Sequence, residues 1–416
     1  MAAKPSSECT VVMKNADTAV SFRREIKSWL QKNCPISQRQ PIVQKEQIWG
    51  GRNKPFYNDD ARQWFEAARE RGFTAPEWPA RYGGGGLSAD QAAVLREEMQ
   101  DLGCRPPLYD QGLWMLGPAL LVFGTEAQKQ QHLPAICRGE IRWAQGYSEP
   151  FAGSDLANLQ TKAEDDGDFF KVTGSKIWTT RADAADWIFC LVRTDDSGPK
   201  QQGISFLLID LASAGVSIAP IPLLSGDSDF CQTFFDDVRV PKDNLVGELH
   251  GGWAVAKEVL RHERQLMASF ESMAEKPKLN IIDLFNEHMG NENAYGISST
   301  DIRSRLASHL MRDSAVKQLG NRIAQQHEVQ SVDSRLPLLM KYLSTREVQH
   351  KNEIILDILG TRGLSLASPD NPELYDSMVK QWAFDKALTI AGGTSEIQLN
   401  IIAKRALELP SASTPE

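Results

Sequence analysis

The stretch Gly146-Tyr147-Ser148-Glu149-Pro150-Phe151-Ala152-Gly153-Ser154-Asp155-Leu156-Ala157 gathers residue types that can meet a phosphorylated or aromatic ligand. Its glycines let the backbone come close to a bound molecule, and Ser148 and Ser154 offer hydroxyls to phosphate or ring acceptors. Alone, such a stretch is more often a loop than a site. After one predicted hairpin comes Lys176-Ile177-Trp178-Thr179-Thr180, where an aromatic ring adjoins two hydroxyls. Other candidates carry less. The run Gly83 to Gly86 lacks the Lys-Ser/Thr pair of a phosphate-binding P-loop and reads as a turn, with Ser88 or Asp90 capping the helix that follows. Cys9, Cys34, Cys104, Cys137, Cys190 and Cys231 show no CxxC spacing, so reduced thiols are expected rather than disulfides or a metal site.

Three kinds of element must position these residues. From Asp17 to about Ile136 the apolar spacing is helical, with one stripe through Val20, Phe22, Ile26, Trp29 and Leu30 and another through Trp64 and Phe65. Near Trp143 the texture changes to short β-rich segments at 169–173, 187–192, 204–209, 216–221 and 233–240, separated by Gly, Asp and Ser clusters as antiparallel strands would be. Helical periods return over 254–273, 299–326, 331–359 and 372–390, and the segment between Ser272 and Ser299 reads as a loop or a short helix pair. This order matches no alternating βαβ pattern. It predicts an α+β multidomain chain with a helical domain over 1–140, a β domain over 141–248 and a second helical domain over 249–416.

The 416 residues carry a net charge of −8 with no basic run, which argues against nucleic acid as a partner. No apolar run approaches the length of a membrane span, and the first twenty residues lack the marks of a secretory signal, so a cytoplasmic location is expected.

The motifs Y-S-E-P-x-A-G-S-D and K-x-W-T-T, at this spacing and at the passage from helices to strands, resemble the flavin signatures of acyl-CoA dehydrogenases. Ile390-Ala391-Gly392-Gly393-Thr394-Ser395-Glu396-Ile397-Gln398 resembles that family's second signature, and Phe234 to Gly247 resembles its exit from the β domain. The resemblance runs from about residue 60 to about residue 410. It implies an N-terminal helical domain, a central antiparallel β barrel and a C-terminal four-helix domain, with FAD between barrel and C-terminal helices. Tyr147 and Ser148 would then present backbone N–H and hydroxyl groups to the pyrimidine side of the isoalloxazine. Thr180 would reach the N5 side, and Trp178 would cover the face away from substrate. Ser154 would lie by the pyrophosphate. Gly360, in a turn like the family's adenine-side turn, would join Thr394 and Glu396 near the ADP portion.

Taking a proton from the α-carbon of a thioester needs a carboxylate in a dry pocket and donors where charge develops on the thioester oxygen. Many family members place a Glu before the Gly-Thr of the second signature, but this chain has Gly392 there, which keeps an N–H and loses the base. Another branch of the family carries the base in a Glu-Arg pair on the helix after the β domain. The matching residues are Glu263 and Arg264, with Arg264 set to position the base or neutralise charge near it. A plain reading of Glu263 is a surface carboxylate paired with Arg264 or Arg261. Two departures concern assembly. The family's Arg-x-x-Phe-Gly segment is missing between Ser272 and Leu310, and Asp357 stands where a Gln is common. The resemblance implies an acyl-CoA substrate, one that is bulky or ring-bearing in this subgroup, and an electron-transfer flavoprotein as acceptor. It also implies a homo-oligomer or a heteromer with a related chain. An oxidase and a non-catalytic partner subunit are the alternatives.

Overall fold

The computed structural model describes residues 7–40, 46–52, 56–273, 280–289, 299–329, 333, 335–364 and 372–410. It divides into two compact units, Met1–Ile221 with Asp229–Pro277, and Pro222–Ser228 with Lys278–Glu416.

The first unit opens with helices α1 (Ser7–Asn33), α2 (Asp59–Glu70), α3 (Ala89–Asp101), α4 (Gly117–Phe123) and α5 (Glu126–Cys137). The predicted stripes form buried faces apart from Val20, which is exposed: Ile26 and Leu30 of α1 meet Trp64 and Ala68 of α2 in one apolar cluster, with Phe22 and Trp29 packed against it. Ser88 caps α3 through a reciprocal box with Gln91, which satisfies two otherwise orphaned backbone N–H groups. The glycine run is a packing device. A Cβ on Gly84 would lie 2.3 Å from the Trp78 carbonyl oxygen, and Gly83 and Gly86 have φ of +88° and +62°.

Seven strands follow: β1 (Trp143–Gly146), β2 (Lys162–Asp166), β3 (Phe169–Thr180), β4 (Trp187–Arg193), β5 (Ile204–Asp210), β6 (Val216–Ile221) and β7 (Phe230–Pro241). They form one half-barrel sheet in the order β1-β4-β2-β3-β7-β6, with β5 on β4. The expected barrel was antiparallel throughout, whereas β4 meets both β1 and β2 in parallel. Strand β3 pairs with β7 through two irregularities, the second between Lys176 and Thr179.

Beyond the sheet, α6 (Gly252–Met273) packs on β5 and on a π-turn at Gly112–Leu116. Gly252 starts this helix against the backbone of β5, where a Cβ would come within 2.5 Å of the Ser205 carbonyl carbon. Val255, Ala256 and Val259 then enter the apolar cluster that holds Leu113, Leu116, Phe206 and Leu208. Each large aliphatic group so buried contributes about 1.5–3 kcal/mol, so the face of α6 turned to the sheet is well specified.

The second unit contains α7 (Ile281–Met289), α8 (Ser299–Val329), α9 (Leu336–Leu359), α10 (Pro372–Asp385) and α11 (Ser395–Ile401). Its core joins Leu284 and Phe285 of α7, Ile302 and Leu306 of α8, and Ile354, Ile355 and Ile358 of α9. Thus α7 is a short helix in the segment of mixed signals, whose stretches 274–279 and 290–298 lie outside the described residues. The predicted helix over 372–390 is shorter, because α10 stops at Asp385 and a 3-10 turn takes Lys386–Thr389. The Gln349 amide on α9 donates to the Asp385 and Lys386 carbonyls and so ends the helix from outside. Among the described residues no helix is long and apolar enough to cross a membrane, and no His, Cys, Asp or Glu cluster could hold a metal ion. Cys34, Cys104, Cys137, Cys190 and Cys231 are buried free thiols.

Candidate active site

Strand β1 delivers Tyr147 and Ser148 directly from its end. The next residues close a tight turn, with Glu149 and Ala152 exchanging backbone hydrogen bonds of 3.1 and 3.0 Å and Phe151 exposed at its tip. The Glu149 carboxylate points inward and accepts from the Gln160 N–H (2.6 Å), the Thr161 N–H (2.9 Å) and Lys176 Nζ (2.6 Å). Lys176 is wholly buried and also donates to the Tyr147 carbonyl at 3.2 Å. One residue on, the Ile177 N–H donates to the Ser148 carbonyl at 2.9 Å. The two motifs picked out in the sequence are therefore one braced structure. Glu149 and Lys176 are the residues that sequence reasoning passed over, although parity on β3 marks Lys176. It shares the inward face with Phe170 and Val172, and a buried ammonium requires an acid beside it. Burial would lift the Glu149 carboxyl, but Lys176 and the two backbone N–H donors outweigh that and hold it below its ordinary value.

Trp178 sits in the bulge of β3 with φ +62° and is 52% exposed, its ring edge-on to Phe230 at 6.0 Å. A left-handed conformation costs a bulky residue about 1–2 kcal/mol. The neighbouring Thr179 holds the bulge from beneath, donating to the Cys231 carbonyl at 2.8 Å and lying 2.9 Å from the Thr233 hydroxyl. Thr180 ends the strand, half-buried. Ser154 is exposed beside Gly153, around whose Cβ direction nothing lies within 4 Å. The result is an exposed indole on a bulge that the buried Thr179 braces from within the sheet.

On α6 the buried positions Val255 and Val259 are one turn apart, and Glu263 continues the same stripe by another turn. Arg261, the proposed surface partner of Glu263 in the plain reading, is engaged by Glu258 at 2.5 Å, as is His262 at 3.0 Å. Arg261 first, then His262, hold Glu258 down to about 2. Glu263 is half-buried, and its charge acts on Tyr147. The Tyr147 ring is 5% exposed, set edge-on to Phe189 and Phe206 at 6.1 and 6.4 Å. Its hydroxyl is buried and has no hydrogen-bond partner. Burial first, and then the Glu263 charge, push the phenol well above its ordinary value. The side chain of Arg264 lies outside the described residues.

The remaining positions belong to the second unit. Gly392 and Gly393 have φ of +63° and +94°, and a Cβ on Gly393 would meet Gln398 Nε2 at 2.8 Å. Lys341 on α9 donates to the Gly393 carbonyl at 2.5 Å, and Gln398 to the Gly392 carbonyl at 3.4 Å. Gln398 falls in the second signature, whereas Lys341 carried no sequence signal, since its contact joins elements far apart in the chain. Thr394 caps α11 by accepting from the Ile397 N–H at 3.2 Å. Glu396 is exposed in the first turn of that helix, its carboxyl held down by its own backbone N–H and then by Thr394. Gly360 ends α9 at φ 54°, ψ −129°, a conformation that glycine alone tolerates readily. Asp357, the unusual residue before it, pairs with Arg305 of α8 at 2.6 Å.

The chain matches three family models: the acyl-CoA dehydrogenase N-terminal domain over residues 22–140, the middle domain over 144–238 and the C-terminal domain over 250–407. It is 32% identical to acyl-CoA dehydrogenase IpdE1 of Mycobacterium tuberculosis, across 94% of this chain and 97% of that protein. Among solved structures it is similar to the Tcur3481-Tcur3483 steroid ACAD, with a TM-score of 0.73 at 27% identity over 95% of this chain and 98% of that one. It is also similar to the ChsE4-ChsE5 complex from Mycobacterium tuberculosis, with a TM-score of 0.68 at 26% identity over 99% and 100% of the two chains.

Proposed function

The chain belongs to the acyl-CoA dehydrogenase family, and we propose that Glu263 is the base that takes the α-proton of its acyl-CoA substrate. The observation that carries this reading is the placement of Glu263 on the apolar stripe of α6, in line with Val255 and Val259, with its charge felt by the buried Tyr147. Substrate bound against this half-buried carboxylate would give it the dry surroundings that proton abstraction from carbon requires. Gly392 keeps the N–H that would meet the thioester oxygen, and the Lys341 and Gln398 contacts to its turn support that role. Arg264 would position the base.

The residues present fit FAD. An exposed indole held in a costly backbone conformation is accounted for by a flat ring laid over it. When bound, FAD supplies the acceptor for the hydride that leaves the β-carbon. Trp178 would cover the ring face away from substrate, Thr180 would donate at the N5 side, and Tyr147 and Ser148 would offer backbone N–H groups to the pyrimidine edge. Ser154 would serve the pyrophosphate, and Gly360, Thr394 and Glu396 the ADP portion.

The reduced enzyme would pass its electrons to an electron-transfer flavoprotein. For substrate we favour a bulky, ring-bearing acyl-CoA, and for assembly a heteromer with a related chain. Similarity to a structure titled as a steroid ACAD supports the first, and similarity to the ChsE4-ChsE5 complex supports the second. The decisive experiment is Glu263→Gln. This variant should retain bound flavin and fail to bleach it when acyl-CoA is added without oxygen; bleaching at the native rate excludes the assignment.

A further inference from the structure

We infer that Tyr147 is a positioning residue for the base: its hydroxyl donates to the Glu263 carboxylate once acyl-CoA fills the site. The inference rests on Glu263 being that base. Two independent observations carry it. The Tyr147 hydroxyl is a buried donor with no acceptor, a costly arrangement unless something at the site uses it. Separately, the helical spacing Val255, Val259, Glu263 directs the carboxylate onto the cluster in which the Tyr147 ring is embedded.

The surroundings leave few other charged groups for this phenol to answer. On α6, Glu258 is occupied by Arg261 and His262. On β4 the nearby Cys190 thiol is buried and pushed up to about 12. The π-turn Gly112–Leu116 and α4 carry no titratable side chain, and Asp210 at the end of β5 is paired with Arg52. Glu149, two residues from the tyrosine in sequence, is paired with Lys176. Because the phenol keeps its proton throughout the working range, it can only donate to a carboxylate, never compete with it for the substrate's proton.

Catalytic hydrogen bonds are often open in the free enzyme and tighten when substrate expels water. A donor to the charged form lowers a carboxylate's proton affinity, against the burial that raises it. Removing the hydroxyl should therefore raise the pKa of Glu263 in the substrate complex and move the acid limb of kcat to higher pH. The limb of kcat/KM, which reports the free enzyme, should move less.

The test is Tyr147→Phe, which keeps the ring against Phe189 and Phe206. With flavin content equal to wild type, the acid limb of kcat should rise by about one pH unit, so that kcat falls about tenfold below the limb and converges with wild type at high pH. An unmoved limb overturns the inference, and so does a uniform loss of rate at every pH, which would mark a purely structural role. Glu263→Gln separates the two readings. If that variant cannot bleach its flavin while the Tyr147→Phe profile stays put, the base stands and only the tyrosine's role falls. If Glu263→Gln bleaches normally, both fall.

Discussion

The buried pair Glu149 and Lys176 shows what a single residue does in this protein. Lys176 is the rare lysine with no exposure, and its ammonium is matched by one carboxylate and the Tyr147 carbonyl. Removing one member of such a pair leaves the other charged in an apolar setting, at a cost of about 3–5 kcal/mol. Lys176→Met should accordingly lower the urea midpoint and weaken flavin retention, whereas adding Glu149→Gln to it should recover part of the loss. The pair also sets a pH dependence. The folded Glu149 carboxyl lies below its ordinary value, so its stabilisation is complete above the unfolded carboxyl's pKa of about 4.3 and is lost as pH falls through the lower, folded value. Acid titration followed by flavin fluorescence should show release of the cofactor on that limb, shifted or absent in the double variant. Of the residues proposed for the site, Ser148, Trp178, Thr180 and Glu263 stand out in the sequence as motif residues. Lys341 does not, because a lysine on one helix that reaches a carbonyl dozens of residues later leaves no periodic trace.

Elements follow the sequence where periodicity is strong and depart from it where neighbours decide. The long helical stripes and the five apolar strands read directly from the spacing of their residues. Strand β2 did not, since Lys-Ala-Glu-Asp-Asp buries only Ala163 and owes its strand state to pairing with β3. Strand β1 is four residues long, too short for alternation to register. The glycine run read correctly as a turn, but its reason is structural: Gly84 and Gly86 answer different demands. Gly84 lacks room, because a Cβ would strike the Trp78 backbone; Gly86 has room but needs φ +62°. Gly84→Ala should therefore cost at least the 1–3 kcal/mol typical of overpacking. Gly86→Ala should cost nearer the 1–2 kcal/mol of a left-handed L-residue. Chemical denaturation of the two variants measures the difference, and equal midpoints would mean that the turn opens to admit the methyl group.

At the scale of the whole molecule, the residues proposed for function are divided by unit: Tyr147, Trp178 and Glu263 belong to the first, and Gly360, Gly392 and Thr394 to the second. The second unit also leaves large apolar side chains exposed in the single chain, among them Met311, Ile390 and Leu407. Isolated exposed apolar residues are ordinary on a monomer, but several on one helical unit suit a surface that another chain covers. Asp357, moreover, is spent on Arg305 within the chain, and the Arg-x-x-Phe-Gly segment that the resemblance associates with a partner's FAD is absent from the sequence between Ser272 and Leu310. Under the heteromer proposed above, the related chain would supply the cofactor contact that this sequence does not carry there. Co-expression with a co-encoded relative should then raise flavin per polypeptide and move the complex to a larger size in gel filtration. If the single chain purifies yellow, fully loaded and already oligomeric, with activity unchanged by the relative, the protein assembles with itself and the heteromer reading fails while the role of Glu263 stands.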